Sequence, residues 1–174
     1  MIHIVLVEPE IPQNTGNIAR TCAATGSRLH LVEPLGFKLE DRYLKRAGLD
    51  YWHMVEVDVY PDLGNLLKRW QGNSFYYAST KAAHNYAEIR YPADRDVFLV
   101  FGKESRGLPE NLLTKVYDRC IRIPMIEEAR SLNLSNSVAI VTYEVLRQQG
   151  FRNLAESGHL TGRDEVNGTW MDYV

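Results

Sequence analysis

The 174-residue sequence lacks long apolar runs and has few cysteines. No apolar run reaches the length of a membrane span, and Met1 leads directly into a strand-like segment without signal-peptide character. The two cysteines, Cys22 and Cys120, lie far apart in apolar surroundings, which is typical of small buried thiols in a reducing compartment. We therefore expect a cytoplasmic protein with no membrane association.

Several familiar catalytic motifs are also missing. No Gly-x-Gly-x-x-Gly segment follows a strand, no Walker lysine loop is present, and Gly-x-Ser-x-Gly is absent. The five histidines and two cysteines lack metal-ligand spacing, so no metal is expected. These absences argue against a Rossmann cofactor site, phosphoryl transfer from a nucleoside triphosphate and a hydrolase elbow. The formal net charge of −2 does not indicate a strongly basic nucleic-acid binder, although it allows a local basic patch.

The sequence does contain an alternation of strand-like and helix-like segments. Its length favours one domain, and 45% hydrophobic residues can form a sizeable core. The alternation predicts an α/β fold with a mostly parallel sheet and helices on both faces. The predicted strands are 3–7, 28–32, 54–60, 75–80, 97–101 and 120–123, and the predicted helices are 14–26, 62–70, 109–117 and 134–149.

The remaining segments carry weaker patterns. We expect Asn14 or Thr15 to cap the first helix and Gly26 to close it. The charged segment 38–46 is typical of a solvated helix face, and 81–92 of an irregular loop. Residues 1–150 are assigned to the domain. Residues 151–174 are assigned to a polar tail that either docks on the core or a partner or stays mobile.

The segment 131–136 spans the start of the last predicted helix and allows two interpretations. Leu134, Val138, Val141 and Val145 have the spacing of one buried helix face. Around the start of this helix, small polar side chains of the kind that cap helices are concentrated at Ser131, Asn133, Ser135 and Asn136. The segment is therefore either a well-capped core helix or the wall of a site at the helix start.

Similar polar segments follow two other strands, at 14–20 and 102–109. The loops at the carboxyl ends of parallel strands can converge on one site. Gly102 and Gly107 permit a tight turn and close approach of a ligand to the backbone. We therefore expect one site built from these three loops.

These three segments, in this order along about the first 150 residues, resemble the three motifs of the SpoU branch of the SPOUT superfamily. The members are RNA ribose 2′-O-methyltransferases with a deep trefoil knot, and the resemblance implies that fold here. The opening segment 4–17 and the small size resemble the single-domain members that act on the wobble nucleotide of tRNA. The implied reaction transfers a methyl group from S-adenosylmethionine to the 2′-hydroxyl of a wobble cytidine or modified uridine, leaving S-adenosylhomocysteine.

The resemblance also implies roles for individual residues. The positions matching family contacts to the cofactor are Ala78, Gly102, Ile123, Met125, Ser131 and Leu132, with Met125 and Leu132 flanking the adenine. The positions matching the polar active site are Asn14, Arg20, Glu104, Ser131 and Asn133. The family's candidate base is Arg20. An arginine rarely gives up its proton, so we expect it to orient the hydroxyl and an adjacent phosphate.

The implied partners are the anticodon stem-loop of tRNA and a second copy of the chain. In the family, knot helices pack together in a homodimer, a contact that the helix 134–149 with Tyr143 could supply here. We expect phosphate contacts from Lys38, Arg42, Lys45, Arg46, Arg106 and Arg130. Two alternatives stay open: a 2′-O-methyltransferase for another tRNA or ribosomal RNA site, and a knotted RNA-binding protein without catalysis.

Overall fold

The computed structural model describes residues 1–39 and 51–159, and its framework is a seven-stranded sheet. Every strand pair in this sheet is parallel, in the order β3-β2-β1-β6-β4-β7-β5. The strands are β1 (Ile2–Val7), β2 (Arg28–Val32), β3 (Val57–Tyr60), β4 (Ser74–Ala78), β5 (His84–Asn85), β6 (Val97–Phe101) and β7 (Cys120–Arg122). The predicted α/β class is confirmed.

Four α-helices connect or follow these strands in the described residues. They are α1 (Pro12–Thr25), α2 (Leu63–Arg69), α3 (Glu110–Lys115) and α4 (Leu134–Gln148). Short 3-10 turns occupy Trp52–Met54 and Tyr117–Arg119. None of the helices described for this chain is both long and apolar enough to span a bilayer.

The core has two layers because alternate strand residues point to opposite faces of the sheet. On one face Ile4 and Leu6 pack with α1 and α4, through residues such as Ile18 and Val141. On the other face Val5 packs with α2 and α3. Helices therefore cover both faces, as predicted. The expected face of α4 is buried at Val138, Val141 and Val145, and Leu134 is half-buried.

The start of α1 differs from the prediction. Neither Asn14 nor Thr15 caps the helix, because it begins two residues earlier at Pro12, whose fixed φ suits the first turn. Both residues instead lie buried inside the helix. Gly26 closes the helix in the left-handed conformation with φ 66°, as expected.

Three further segments differ in extent. β3 starts at Val57, because Met54 belongs to a 3-10 turn. The segment predicted as an irregular loop contains the two-residue strand β5. α3 ends at Lys115, so Tyr117 lies in the following 3-10 turn. The predicted charged segment 38–46 falls, from residue 40 onward, outside the described residues.

The predicted boundary after residue 150 is not tested, but the start of the tail packs on the core. Phe151 and Leu154 are half-buried against the face that contains α1 and α4. Both cysteines are buried and free, as expected.

A buried pair of histidines lies between β1 and β2, under Trp70 and Phe98. His3 Nδ1 and His30 Nε2 are 2.8 Å apart, and the two side chains are almost inaccessible to solvent. Burial lowers the pKa of both imidazoles. The carboxylates of Asp96 and Asp58 oppose this shift only in part. The pair is therefore neutral in the folded protein at neutral pH.

We predict that the histidine pair makes the fold less stable in mild acid. Below the ordinary imidazole pKa of 6.5 the unfolded chain binds protons that the folded chain does not, so stability is full above pH 6.5 and falls as the pH drops. The loss should approach about 1.4 kcal/mol per pH unit for each imidazole. Thermal unfolding between pH 7.5 and 5 measures it. His30→Gln should flatten the profile, whereas the exposed control His84→Gln should not; equal profiles for all three proteins would contradict the prediction.

Candidate active site

A cavity of about 540 Å³ lies at the carboxyl ends of β4, β6 and β7. Its floor is apolar, with Phe101, Ile121 and Val141. Its walls are the three loops that follow these strands, together with the start of α1. The volume is in the range of small-molecule sites. The edge of a parallel sheet where ligands bind is thus the place where the predicted polar segments meet.

The structure brings all but one of the predicted site residues to this cavity. The predicted cofactor contacts that line it are Ala78, Gly102, Ile123, Met125, Ser131 and Leu132. The predicted polar residues that line it are Asn14, Glu104, Ser131 and Asn133. The exception is Arg20, which is exposed six residues beyond Asn14 on α1 and does not line the cavity. The roles of these residues stay predictions, but their proximity is a property of the fold.

Gly102 allows the loop after β6 to fold back on itself. A Cβ atom at this position would lie 2.3 Å from the backbone nitrogen of Leu108 and 2.4 Å from the carbonyl carbon of Gly107. The Gly107 N–H donates to the Lys103 carbonyl at 2.9 Å, which closes the loop. Gly107 has a φ of 68° with open space around it. The loop therefore needs a missing side chain at Gly102 and a left-handed backbone at Gly107.

A chain of hydrogen bonds connects the loop after β7, the start of α1 and the loop after β6, and the cap of α4 fixes its direction. Asn133 is the N-cap, and its Oδ1 accepts from the Ser135 and Asn136 backbone N–H groups at 2.9 and 3.4 Å. Its Nδ2 must therefore face the other way, and it donates to Asn14 Oδ1 at 3.0 Å. Asn14 Nδ2 then donates to Glu104 Oε1 at 3.0 Å. We call this chain, from Asn133 through Asn14 to Glu104, the amide relay.

Glu104 is held mainly by donors from the start of α1. Its two carboxylate oxygens accept from the backbone N–H of Glu10 at 2.9 Å and of Ile11 at 3.3 Å. With the Asn14 amide, three N–H groups converge on this one carboxylate. Such an arrangement suits the ionised form, which accepts and does not donate. Glu104 therefore fixes the loop after β6 against the start of α1.

Two further glutamates, which the sequence analysis did not single out, also join the segment before α1 to the loop after β6. Glu10 accepts from the Ser105 backbone N–H at 2.9 Å and from its hydroxyl at 2.8 Å, and these bonds lower the pKa of Glu10. Glu8 pairs with Lys103. Glu8 also has a positive φ of 49°, which is unusual for a side chain of this size. The segment Glu8-Pro9-Glu10 offered a signal in its two carboxylates, but the partners lie 95 positions away.

Electrostatics and composition limit what the site can do. Its apolar floor and backbone-rich walls suit a flat, largely uncharged ring system, and the amide relay offers oriented donors and acceptors at one side. Within residues 1–39 and 51–159, no group of histidine, cysteine and carboxylate side chains could hold a metal ion. The arrangement fits a reaction that depends on aligning two bound molecules.

Comparisons with known proteins agree with this geometry. A model of the SpoU rRNA Methylase family matches residues 1–143. The tRNA (cytidine(34)-2′-O)-methyltransferase of Escherichia coli K12 is 45% identical over 152 residues, covering 87% of this chain and 96% of that protein. A structure described as giving insights into the 2-OH methylation of C/U34 on tRNA superposes with a TM-score of 0.82 at 43% identity, covering 87% of this chain and 98% of that one.

A more distant structure was solved with the cofactor. The AdoMet-bound rRNA methyltransferase of Sinorhizobium meliloti has a TM-score of 0.75 at 25% identity. The match covers 84% of this chain and 56% of that one.

We predict that Asn133→Asp separates the cap of α4 from the amide relay. Aspartate keeps the capping oxygen, but it places a second oxygen against Asn14 Oδ1, where a donor is needed. Methyl transfer should fall at least about tenfold, since a reacting group is no longer aligned, with little change in melting temperature. Asn133→Ala should lose the activity and about 1 kcal/mol of stability. Asp62→Asn, at the cap of α2, is the matched control; normal turnover in Asn133→Asp would contradict the role of the relay.

We predict that Gly102→Ala opens the loop after β6. The new methyl group would collide with backbone atoms that cannot rotate away, at a cost of about 1–3 kcal/mol. The affinity for S-adenosylmethionine, measured by calorimetry, should fall at least about tenfold. Gly26→Asn, at the end of α1 and outside the cavity, is the control, because asparagine tolerates a positive φ and the space there is open. Unchanged affinity in Gly102→Ala would show that the cofactor does not need the closed loop.

Proposed function

The chain belongs to the SpoU rRNA Methylase family, and from this premise we propose that it methylates tRNA. The methyl group passes from S-adenosylmethionine to the ribose 2′-hydroxyl of the wobble nucleotide, a cytidine or a modified uridine, in the anticodon loop. The product of the cofactor is S-adenosylhomocysteine. The observation that carries the proposal is the cavity in which three separate loops bring the predicted cofactor contacts beside the amide relay. Such a substrate would be met in the cytoplasm.

The residues of the cavity fit S-adenosylmethionine. The half-buried Ile123 and the exposed Leu132 offer apolar surface for the adenine faces, and the folded loop at Gly102 offers backbone groups at close range. When bound, the cofactor supplies a methyl group activated by its sulfonium. Ala78, Met125 and Ser131 would complete its surroundings.

The chain's own residues would mainly align the ribose hydroxyl. Methyl transfer is an in-line displacement, so the orientation of the attacking oxygen limits the rate. The amide relay fixes the donors and acceptors of Asn14 and Asn133 at the cavity wall. Arg20, outside the wall, would hold the hydroxyl and a neighbouring phosphate with its planar fork, and would lower the hydroxyl pKa so that the proton leaves to phosphate or water.

The family's deep trefoil knot is part of the proposal. The loops after β4, β6 and β7, which line the cavity, are the segments in which the resemblance implies the knot. We also propose that residues 1–150 form the whole catalytic domain and that the following residues are an appended tail.

A homodimer is proposed as the form that binds RNA. On α4, Ile140 and Tyr143 are 36% and 47% exposed, and they lie on the same helix as the buried face. A second copy packed there would remove this apolar surface from water. Arg106 and Arg130, at the cavity, are proposed to contact phosphates, together with Lys38. The other proposed phosphate contacts, Arg42, Lys45 and Arg46, lie outside the described residues.

We predict that the purified protein methylates tRNA from cells that lack this modification. Labelled S-adenosylmethionine measures transfer, and nucleoside mapping locates the methyl group at the 2′-oxygen of the wobble nucleotide. A reaction without the protein is the negative control. Methylation at another tRNA position or of ribosomal RNA would replace the proposed substrate. Saturable cofactor binding without transfer to any RNA would instead indicate a binding protein.

A further inference from the structure

We propose that Tyr51 is a positioning residue for Arg20 in methyl transfer. The inference rests on the proposed function, because the contact of Arg20 with the substrate is itself part of that proposal. Tyr51 does not line the cavity, and no sequence motif drew attention to it. Its importance comes from where the fold places its ring.

The ring of Tyr51 lies against the guanidinium of Arg20. The Arg20 Cζ atom is 4.9 Å from the ring centroid, well within the range of a cation–π interaction. Among residues 1–39 and 51–159, no carboxylate forms an ion pair with Arg20. The aromatic face is therefore a contact in this part of the chain that can restrict where the guanidinium lies.

The backbone of Tyr51 is tied to a turn that packs on α1. The Tyr51 carbonyl accepts from the Met54 N–H at 2.9 Å, which closes the 3-10 turn Trp52–Met54. That turn packs against α1, the helix that carries Arg20. Tyr51 itself is half-buried. The backbone at Tyr51 is thus held beside α1 by contacts that do not involve the arginine side chain.

A cation–π contact does not use the N–H donors of the arginine. An aromatic ring contacts the flat face of a guanidinium, whereas the N–H donors lie in the plane of the group and point away from its edges. An ion pair with a carboxylate would instead occupy those donors. Tyr51 can therefore restrict the motion of Arg20 without itself occupying the donors that a phosphate and a ribose hydroxyl would use.

A second arginine shows the contrasting arrangement. The guanidinium of Arg28 lies 5.9 Å from the Trp70 ring, but it also forms ion pairs with Glu56 at 3.1 Å and with Asp58 at 2.8 Å. Such an arginine is held between carboxylates as well as against a ring. Arg20 has the aromatic contact without these ion pairs within the described part of the chain.

The test compares Tyr51→Phe with Tyr51→Leu under saturating tRNA and cofactor. Phenylalanine keeps the ring face, so kcat should stay within about twofold of the parent protein, whereas leucine should lower kcat about fivefold, the size of a cation–π interaction at an exposed site. The affinity for S-adenosylmethionine should not change in either variant, because Tyr51 is outside the cavity. Met54→Ala, in the same turn and 60% exposed, is the control for disturbance of the turn and should keep normal kcat.

The Arg20→Ala background separates the possible failures. If Tyr51 acts through Arg20, Tyr51→Leu should cause no further loss in the slow Arg20→Ala protein, measured in single-turnover reactions. An equal loss in both backgrounds, or equal kcat for the phenylalanine and leucine variants, would overturn the inference while the proposed function stands. Normal turnover in Arg20→Ala would instead remove Arg20 from the mechanism and the inference with it.

Discussion

The cap of α4 is the constraint on which the candidate site depends. Asn133 must give its oxygen to the helix, so its amide nitrogen can only donate toward Asn14. That choice fixes Asn14, whose own nitrogen then needs an acceptor, and Glu104 supplies it. A local rule of helix capping therefore sets the direction of hydrogen bonds across two loops and the start of α1, which are distant in sequence. Asn133 caps α4, as the first interpretation of segment 131–136 expected, and it also lines the cavity, where the second interpretation placed a site.

The junction between the segment before α1 and the loop after β6 shows how a rigid sheet edge can carry a shaped cavity. Glu104 accepts from the backbone before α1, while Glu10 accepts from Ser105 in the opposite direction. Glu8, with its unusual positive φ, adds the contact with Lys103. The strands beneath are fully buried, so neither loop can move its base. These reciprocal bonds leave the loops few ways to rearrange without losing several charge-assisted hydrogen bonds together.

Sequence patterns predicted the elements better than their junctions. Runs such as Val97–Phe101 are apolar along their whole length, and the parallel strand they indicated is present. Asn14 misled because it has the chemistry of a cap, yet Pro12 starts the helix and leaves Asn14 buried within it. β5 has only two residues, too few to show any period. The contacts of Glu10 with Ser105 and of Arg20 with Tyr51 depend on tertiary placement, which no local pattern encodes. The family resemblance supplied the candidate residues, and the fold supplied their neighbours.

The carboxylate of Glu104 has a consequence for the electrostatics of α1. The amino end of a helix carries a partial positive charge that commonly attracts phosphate. Here a carboxylate from the chain itself accepts from the N–H groups of Glu10 and Ile11, next to the first turn. The positive end of the dipole is therefore already compensated within the chain. Positive charge for an RNA phosphate would have to come from arginine and lysine side chains, such as Arg106 at the cavity, and not from the helix start.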